Sequence, residues 1–337
     1  MPLSERDHDT LVELRTQTMQ VLSSVLGSEP LEIAYLDTPR HRNLGDSLIW
    51  AGTLNYLQAL GHRVVYHTDL GRYSDDVLAR LPANTVVLFH GGGNMGTLYP
   101  FHEEFRHGVI ARHPHRKFVV MPQSLHYSAQ AAEREAADAY GLGRDVTLLV
   151  REHRSEEIAL RSFRKLNVTF CPDAAFGAEL EAWPQRERNR TLILSRTDDE
   201  VDDADRNGLS CGVDWAWSAL NSWKWRVNHL PGAIIKRLPG VRPDWLTDSL
   251  MHFNEKLLEL NVAAAFDQFN GVQAVVTNRL HAHILSTLLG IPNFVSDNIY
   301  GKISAVFESY SSRFSTGTLT SSLHEALICL REEGIAT

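Results

Sequence analysis

Thr85-Val86-Val87-Leu88-Phe89-His90-Gly91-Gly92-Gly93-Asn94 is a run of apolar β-formers that stops at a histidine, three glycines and an asparagine. Apolar residues in unbroken succession, with no polar alternation, predict a strand over 85–89 that is covered on both faces, as in a parallel sheet. The same pattern recurs on either side of it. Further strands are read at Leu31–Asp37, His62–His67, Lys117–Met121, Val146–Arg151 and Asn167–Phe170. Between them, helical periodicity marks Asp46–Leu60 (closed by Gly61), Phe101–Arg112, Ser128–Tyr140 and His153–Lys165, and an amphipathic Leu11–Leu26 precedes the first strand. Strands alternating with helices predict a parallel sheet with crossover helices. The polar, proline-bearing Trp183–Arg190 reads as a linker. A smaller pattern follows it, with strands Thr191–Ser195, Val272–Thr277 and Asn293–Ser296 and helices from about Asp244 to Phe269 and from Arg279 to Leu289. The expectation is an α/β protein of two Rossmann-like domains, residues 1–185 and 190–337, facing a cleft. Ligands of such sheets lie beyond the carboxyl ends of the strands, which makes the residues just after each strand the candidates.

Composition narrows the ligand. The 337 residues carry 33 Lys+Arg against 41 Asp+Glu, a formal charge of −8, with 43% hydrophobic and 22% charged residues. No basic, aromatic-interleaved stripe is present, so a nucleic-acid partner is not expected. No apolar run approaches the ~20 residues of a membrane span, and Glu5, Asp7, Asp9 and Glu13 stand where a signal peptide would be basic and apolar. Cys171, Cys211 and Cys329 are odd in number and widely spaced, which suits a reducing compartment. The cytoplasm is therefore the expected location.

Three strand ends carry chemistry. In Asn43-Leu44-Gly45-Asp46-Ser47, either Asp46 or Ser47 is placed to cap the helix that follows. The functional alternative has Gly45 admitting a ligand to the helix N-terminus while Asp46 acts as acceptor or base. In His90-Gly91-Gly92-Gly93-Asn94, the loop N–H groups of Gly91, Gly92 and Gly93 suit an anion-binding nest, or the glycines only relieve crowding in a tight turn. Asn94 would offer an amide to a sugar hydroxyl or a carboxylate. In Thr277-Asn278-Arg279-Leu280-His281-Ala282-His283, Arg279 and His281 combine an anion clamp, a helix N-terminus and a proton donor within one turn. Ser195-Arg196 ends the first strand of the second half, so Arg196 opens onto the same cleft as Arg279. Gln123, Ser124 and Asp173 also follow strands and Arg151 ends its own; each alone reads as a cap or a surface group, and Ser124 is taken as a further substrate-binding candidate.

Other readings are weaker. His90-Gly91-Gly92-Gly93 with Gly208-Leu209-Ser210-Cys211-Gly212 imitates an esterase, but a nucleophile elbow needs an apolar strand before it, and Ser210 follows the acidic Thr197–Asn207 instead. A zinc site at His281 and His283 fails because i and i+2 on a helix point roughly 200° apart; no metal is expected. His283 reads as structural, and His113 and His115 as solvent-exposed. The acidic run reads as a solvated loop. Trp215, Trp217, Trp223 and Trp225 read as core packing, an acceptor platform or a partner surface.

The succession NLGDS, FHGGGN, MPQS, VREHRS, PDAAF, LSR, TNRLHAHILS and SDNIYGKI resembles the polysaccharide pyruvyl transferase family over about residues 40 to 305. The resemblance implies a glycosyltransferase-B type fold. It also implies transfer of the pyruvyl group of phosphoenolpyruvate, a co-substrate with no other cofactor, onto two hydroxyls of a sugar, giving a ketal on a cell-surface glycan or its lipid-linked precursor. By the same resemblance Arg279 and Leu280 belong to the donor pocket, His281 is the general acid, and Arg196 is a second donor clamp; Asp46 and Asn94 are assigned to the acceptor hydroxyls. A lipid-linked acceptor would be met at the inner membrane face, and a homo-oligomer is compatible with the sequence. The alternatives are a nucleotide-sugar glycosyltransferase of the same architecture and a non-catalytic glycan-binding protein.

Overall fold

A computed structural model of the chain describes residues 3–39, 42–179, 187–196, 214–215, 219–235, 243–297 and 299–335. The acidic run Thr197–Asn207, Ser210, Cys211 and Trp217 lie outside the described residues.

Strands β1 (Glu32–Leu36), β2 (Arg63–Thr68), β3 (Val86–Phe89), β4 (Gly92–Gly96), β5 (Lys117–His126), β6 (Asp145–Val150) and β7 (Asn167–Phe170) alternate with helices α1 (Glu5–Leu26), α2 (Leu44–Ala59), α3 (Asp75–Arg80), α4 (Pro100–Arg112), α5 (Gln130–Tyr140) and α6 (His153–Ser162). They form one sheet in the order β2-β1-β3-β5-β6-β7, with β4 paired to β5 off that path. Every pairing is parallel. All four residues of β3 are buried, as an unbroken apolar run requires. The order reverses between β1 and β3, which opens a crevice beyond their carboxyl ends. A second parallel sheet, ordered β11-β10-β9-β8, holds β8 (Arg190–Leu194), β9 (Val272–Thr277), β10 (Asn293–Ser296) and β11 (Gly317–Thr320). Its helices are α7 (Ala219–Ile235), α8 (Asp244–Phe269), α9 (Leu280–Leu288), α10 (Lys302–Ser309) and α11 (Leu323–Glu332). The chain is thus an α/β protein, with two parallel sheets of seven and four strands among the described residues.

The sheets share a core. One cluster of buried apolar side chains takes in Leu44 and Leu48 of α2, Leu192 and Leu194 of β8, and Ala282 and Leu285 of α9. Two helices bridge the halves as well. Helix α1 donates from Arg15 to the carbonyls of Phe176 and Ala178, while Asp7 at its other end accepts from the backbone and hydroxyl of Ser315. Helix α8 reaches back to the first sheet, with Asn261 Nδ2 donating to Ser47 Oγ at 2.7 Å. Close packing of this kind fixes how the two walls of the cleft face one another.

Several expectations are corrected. The glycine run is not a free loop: Gly92–Gly96 is a strand, with Gly92 opposite Gln123 on β5. Strand β5 continues through Pro122 to His126, because the ladder to β6 is irregular between Val120 and Gln123 and the missing proline N–H breaks no regular pairing. Helix α2 starts at Leu44 and is capped by Asn43, whose side chain accepts from Gly45 N–H at 3.1 Å. Neither Asp46 nor Ser47 is the cap; both lie in the first turn. His113 is buried, with Nε2 3.0 Å from Asp75, whereas His115 is exposed. Strand β11 and helices α3, α7, α10 and α11 were not anticipated.

Candidate active site

The cleft between the sheets holds a cavity of about 540 Å³, and nearly every side chain lining it follows the carboxyl end of a strand. Asp37 and Thr38 follow β1, Asp69 and Gly71 follow β2, and His90 follows β3; Arg151 follows β6, Arg196 follows β8, and Asn278 to His281 follow β9.

Gly45 and His281 meet where α2 and α9 begin. A Cβ on Gly45 would stand 2.4 Å from His281 Nδ1, so only a glycine lets the imidazole seat against the start of α2. The neighbouring Asp46 lines the same cavity and accepts from Asn43 Nδ2 at 2.8 Å. Behind the ring, Asp173 Oδ2 lies 3.6 Å from His281 Nε2 and accepts from Arg151 Nη1 at 2.7 Å. Burial pushes the Asp173 carboxyl up, but the Arg151 guanidinium and His281 outweigh it and hold this group well below the usual carboxylate range. Asp173 is fixed in turn by Ala175 N–H donating to Oδ1 and by its own N–H donating to Tyr310 Oη. A buried, ionised carboxylate thus stands behind the ring and presents its negative charge 3.6 Å from His281 Nε2.

Cations converge on the other side of the glycines. A Cβ on Gly93 would stand 3.1 Å from Arg151 Nη2 and 3.4 Å from Lys302 Nζ, so this backbone lies between two positive groups. Lys302 is delivered by α10, whose first turn is held by Asp297 accepting from Ile303 and Ser304 N–H. Gly301 before it takes the left-handed conformation, φ +67°, that turns the chain into the helix. Arg196 and Arg279 complete the positive wall. Arg196 N–H donates to Asn278 Oδ1, and Arg279 Nη2 donates to Asp214 Oδ2 at 2.5 Å.

The remaining wall is polar and aromatic. Asp37, with φ +64°, is a non-glycine residue in the left-handed region, held by His102 Nδ1 at 2.7 Å and Arg106 Nη2 at 2.8 Å. Arg106 also donates to Asn94 Oδ1, which accepts a second bond from Gln123 Nε2. His90 is buried with Nδ1 2.6 Å from Tyr35 Oη. Burial pulls its pKa down to about 4, against the opposing pull of Asp46 and Asp37, so the ring is neutral near pH 7. Tyr99, Phe101 and Trp215 stand at the cavity.

Of the residues the sequence pointed to, the structure brings Asp46, Gly93, Asn94, Arg196, Arg279, Leu280 and His281 to one cavity. Gly91, Gly92 and Ser124 do not line it. Ser124 lies behind Arg151, accepting from its Nε at 2.8 Å, where it helps to position that cation. His283 is structural, bonded to Asn293 and Ser311 in the core. Trp215 lines the cavity and packs near Phe269, whereas Trp223 is exposed and Trp225 stacks on His229. Sequence reasoning undervalued Arg151 and Asp173 and overlooked Lys302. The signal for Lys302 was present in NIYGKI, where a glycine precedes the lysine that opens a helix. Among the described residues no cluster of side chains suits a metal ion, and no helix is long and apolar enough to cross a membrane.

The fold and site together define a two-sheet α/β protein with a strand-end cleft that sets cations beside acid–base side chains. The family described as Polysaccharide pyruvyl transferase matches residues 43–299, most of the chain. The chain belongs to that family and is a pyruvyl transferase family enzyme, as the motif order implied. It is 28% identical over 296 residues to a Bacillus subtilis (strain 168) protein named "Putative pyruvyl transferase EpsO", covering 86% of this chain and 89% of that one. It is 32% identical over 280 residues to Pyruvyl transferase 1 of Schizosaccharomyces pombe, covering 79% of this chain and 66% of that one. Its fold is also that of a functionally uncharacterised Klebsiella pneumoniae protein of known structure, with TM-score 0.57, 19% identity, and 91% and 98% of the two chains covered.

Proposed function

We propose that the cleft moves the pyruvyl group of phosphoenolpyruvate onto two hydroxyls of one sugar, as a cyclic ketal, and releases phosphate. The observation that carries this reading is the convergence of Arg151, Lys302, Arg196 and Arg279 on the cavity that also holds His281 and Asp46. Phosphoenolpyruvate presents a phosphate and a carboxylate on three carbons, so it needs two cationic clamps close together. The two-sheet arrangement suits the glycosyltransferase-B architecture, with the donor held between the glycine strand and the start of α9.

The protonated imidazole of His281, backed by Asp173, gives its proton to the methylene carbon, which becomes the methyl group. The adjoining carbon turns electrophilic, its charge shared with the phosphate-bearing oxygen. A sugar hydroxyl bonds to that carbon and its proton passes to Asp46. The carbon–oxygen bond to phosphate then breaks, and phosphate leaves with the electron pair beside the four cations. The second hydroxyl closes the ketal and gives up its proton to the site. Positioned proton transfer of this kind contributes a factor of about 10² to 10⁴. Tyr99, Phe101 and Trp215 provide faces for a pyranose, and the Asn94 amide nitrogen and neutral His90 offer hydrogen bonds to its hydroxyls.

Incubation with phosphoenolpyruvate should release phosphate only when a pyranoside with two suitably placed hydroxyls is present, and His281→Ala should abolish this while melting like wild type. Acceptor-independent release, or undiminished turnover in His281→Ala, would contradict the assignment. Thermal protection by a nucleoside diphosphate with phosphoenolpyruvate inert would favour a glycosyltransferase, and glycan binding without phosphate release would favour a lectin-like role.

A further inference from the structure

Helix α7 has an apolar stripe that is exposed among the described residues. Leu220, Trp223, Val227, Leu230 and Ile234 recur at intervals of three and four residues, and each is 48% to 64% exposed. At 100° per residue they occupy one face, with exposed Lys224 on one border and exposed Arg226 on the other. The helix contains no acidic residue, in a chain whose net charge is −8. Its opposite face is committed to the protein. Trp225 stacks on His229 with ring centroids 4.6 Å apart, the Arg42 guanidinium lies 4.8 Å over the Trp225 ring, and Arg72 Nη2 donates to the His229 carbonyl. Arg72 ends the turn whose Asp69 and Gly71 line the cavity. The stripe therefore faces solvent on an element that backs the rim of the cleft.

Charge chooses among occupants. Two copies of the helix meeting stripe to stripe would bring Lys224 and Arg226 of both together, with no acidic side chain on the helix to answer them. An anionic bilayer answers them directly, and a tryptophan within an apolar stripe bordered by cations is the composition of helices that lie in the headgroup region. Seventeen residues span about 25 Å, enough for one helix lying flat along the surface.

We propose that α7 docks on an anionic phospholipid surface and holds the mouth of the cleft over a sugar carried on a membrane lipid. The carried sugar rests on the pyruvyl-transfer reading; the membrane contact does not.

The full-length protein should float with vesicles of phosphatidylcholine and phosphatidylglycerol and stay behind with phosphatidylcholine alone. Trp223→Glu with Leu230→Glu should abolish flotation while keeping the melting temperature and the phosphate release with a soluble acceptor. Lys224→Gln with Arg226→Gln should weaken binding on the order of 25-fold, from roughly fivefold for each cation near an anionic surface. Equal binding to both vesicle types overturns the proposal, as does no binding to either. A dimer in solution that Trp223→Glu with Leu230→Glu converts to monomer, without vesicle binding by wild type, overturns it in favour of a second copy. Because flotation is read without catalysis, its failure leaves pyruvyl transfer standing, and the reverse also holds.

Discussion

Asp173 serves two residues of the cleft at once, 2.7 Å from Arg151 Nη1 and 3.6 Å from His281 Nε2. Its charge is secured by burial beside a guanidinium, so removing the charge while keeping the shape separates chemistry from packing. Asp173→Asn is expected to lower kcat by about 10²-fold, within the range of positioned proton transfer, with a smaller change in KM for phosphoenolpyruvate. Steady-state kinetics measure the split; an unchanged kcat would show that Asp173 does not position His281. In the sequence this residue stood in PDAAF after a strand and read as a cap. That reading is correct as far as it goes, since Asp173 accepts from Ala175 N–H. What the sequence lacks is the long-range meeting with Arg151 and His281, which only the assembled sheet supplies. His281 and Arg279 were legible because strand, turn and helix start lie within one short stretch.

Element by element, most strands and most long helices were legible from apolar runs and periodicity, and α8 and β9 fall where expected, whereas the 17-residue α7, with Pro231 inside it, was not read. The elements that escaped are short or break a local rule. Strand β4 is built of GGNMG, whose composition argues against a strand; it exists because β5 offers it an edge. Helix α10 has only eight residues, yet it delivers Lys302, and its start depends on Asp297 accepting from two backbone N–H groups. Asp297→Ala should cost about 1 kcal/mol of stability through loss of this cap and raise KM for phosphoenolpyruvate more than it lowers kcat. Denaturant unfolding together with kinetics would check both; a stable variant with wild-type KM would free Lys302 from the donor site.

At the scale of the molecule, a net charge of −8 coexists with a cavity holding four cationic side chains, because charge is placed and not merely summed. The shared core of the two sheets, bridged by α1 and α8, keeps the His281 wall opposed to the Asp46 wall. Two α/β patterns were readable from the sequence. Their common core was not, because helices read as belonging to one half pack on the other. The central assignment to this cleft is that it protonates the methylene carbon of phosphoenolpyruvate and passes the pyruvyl group to a sugar diol, as proposed above. Mass spectrometry of the product formed in deuterated water tests it most directly. The acceptor should gain one pyruvate ketal whose methyl group carries a single deuterium from solvent. An acceptor left unmodified, or a ketal whose methyl group carries no solvent deuterium, would contradict the account.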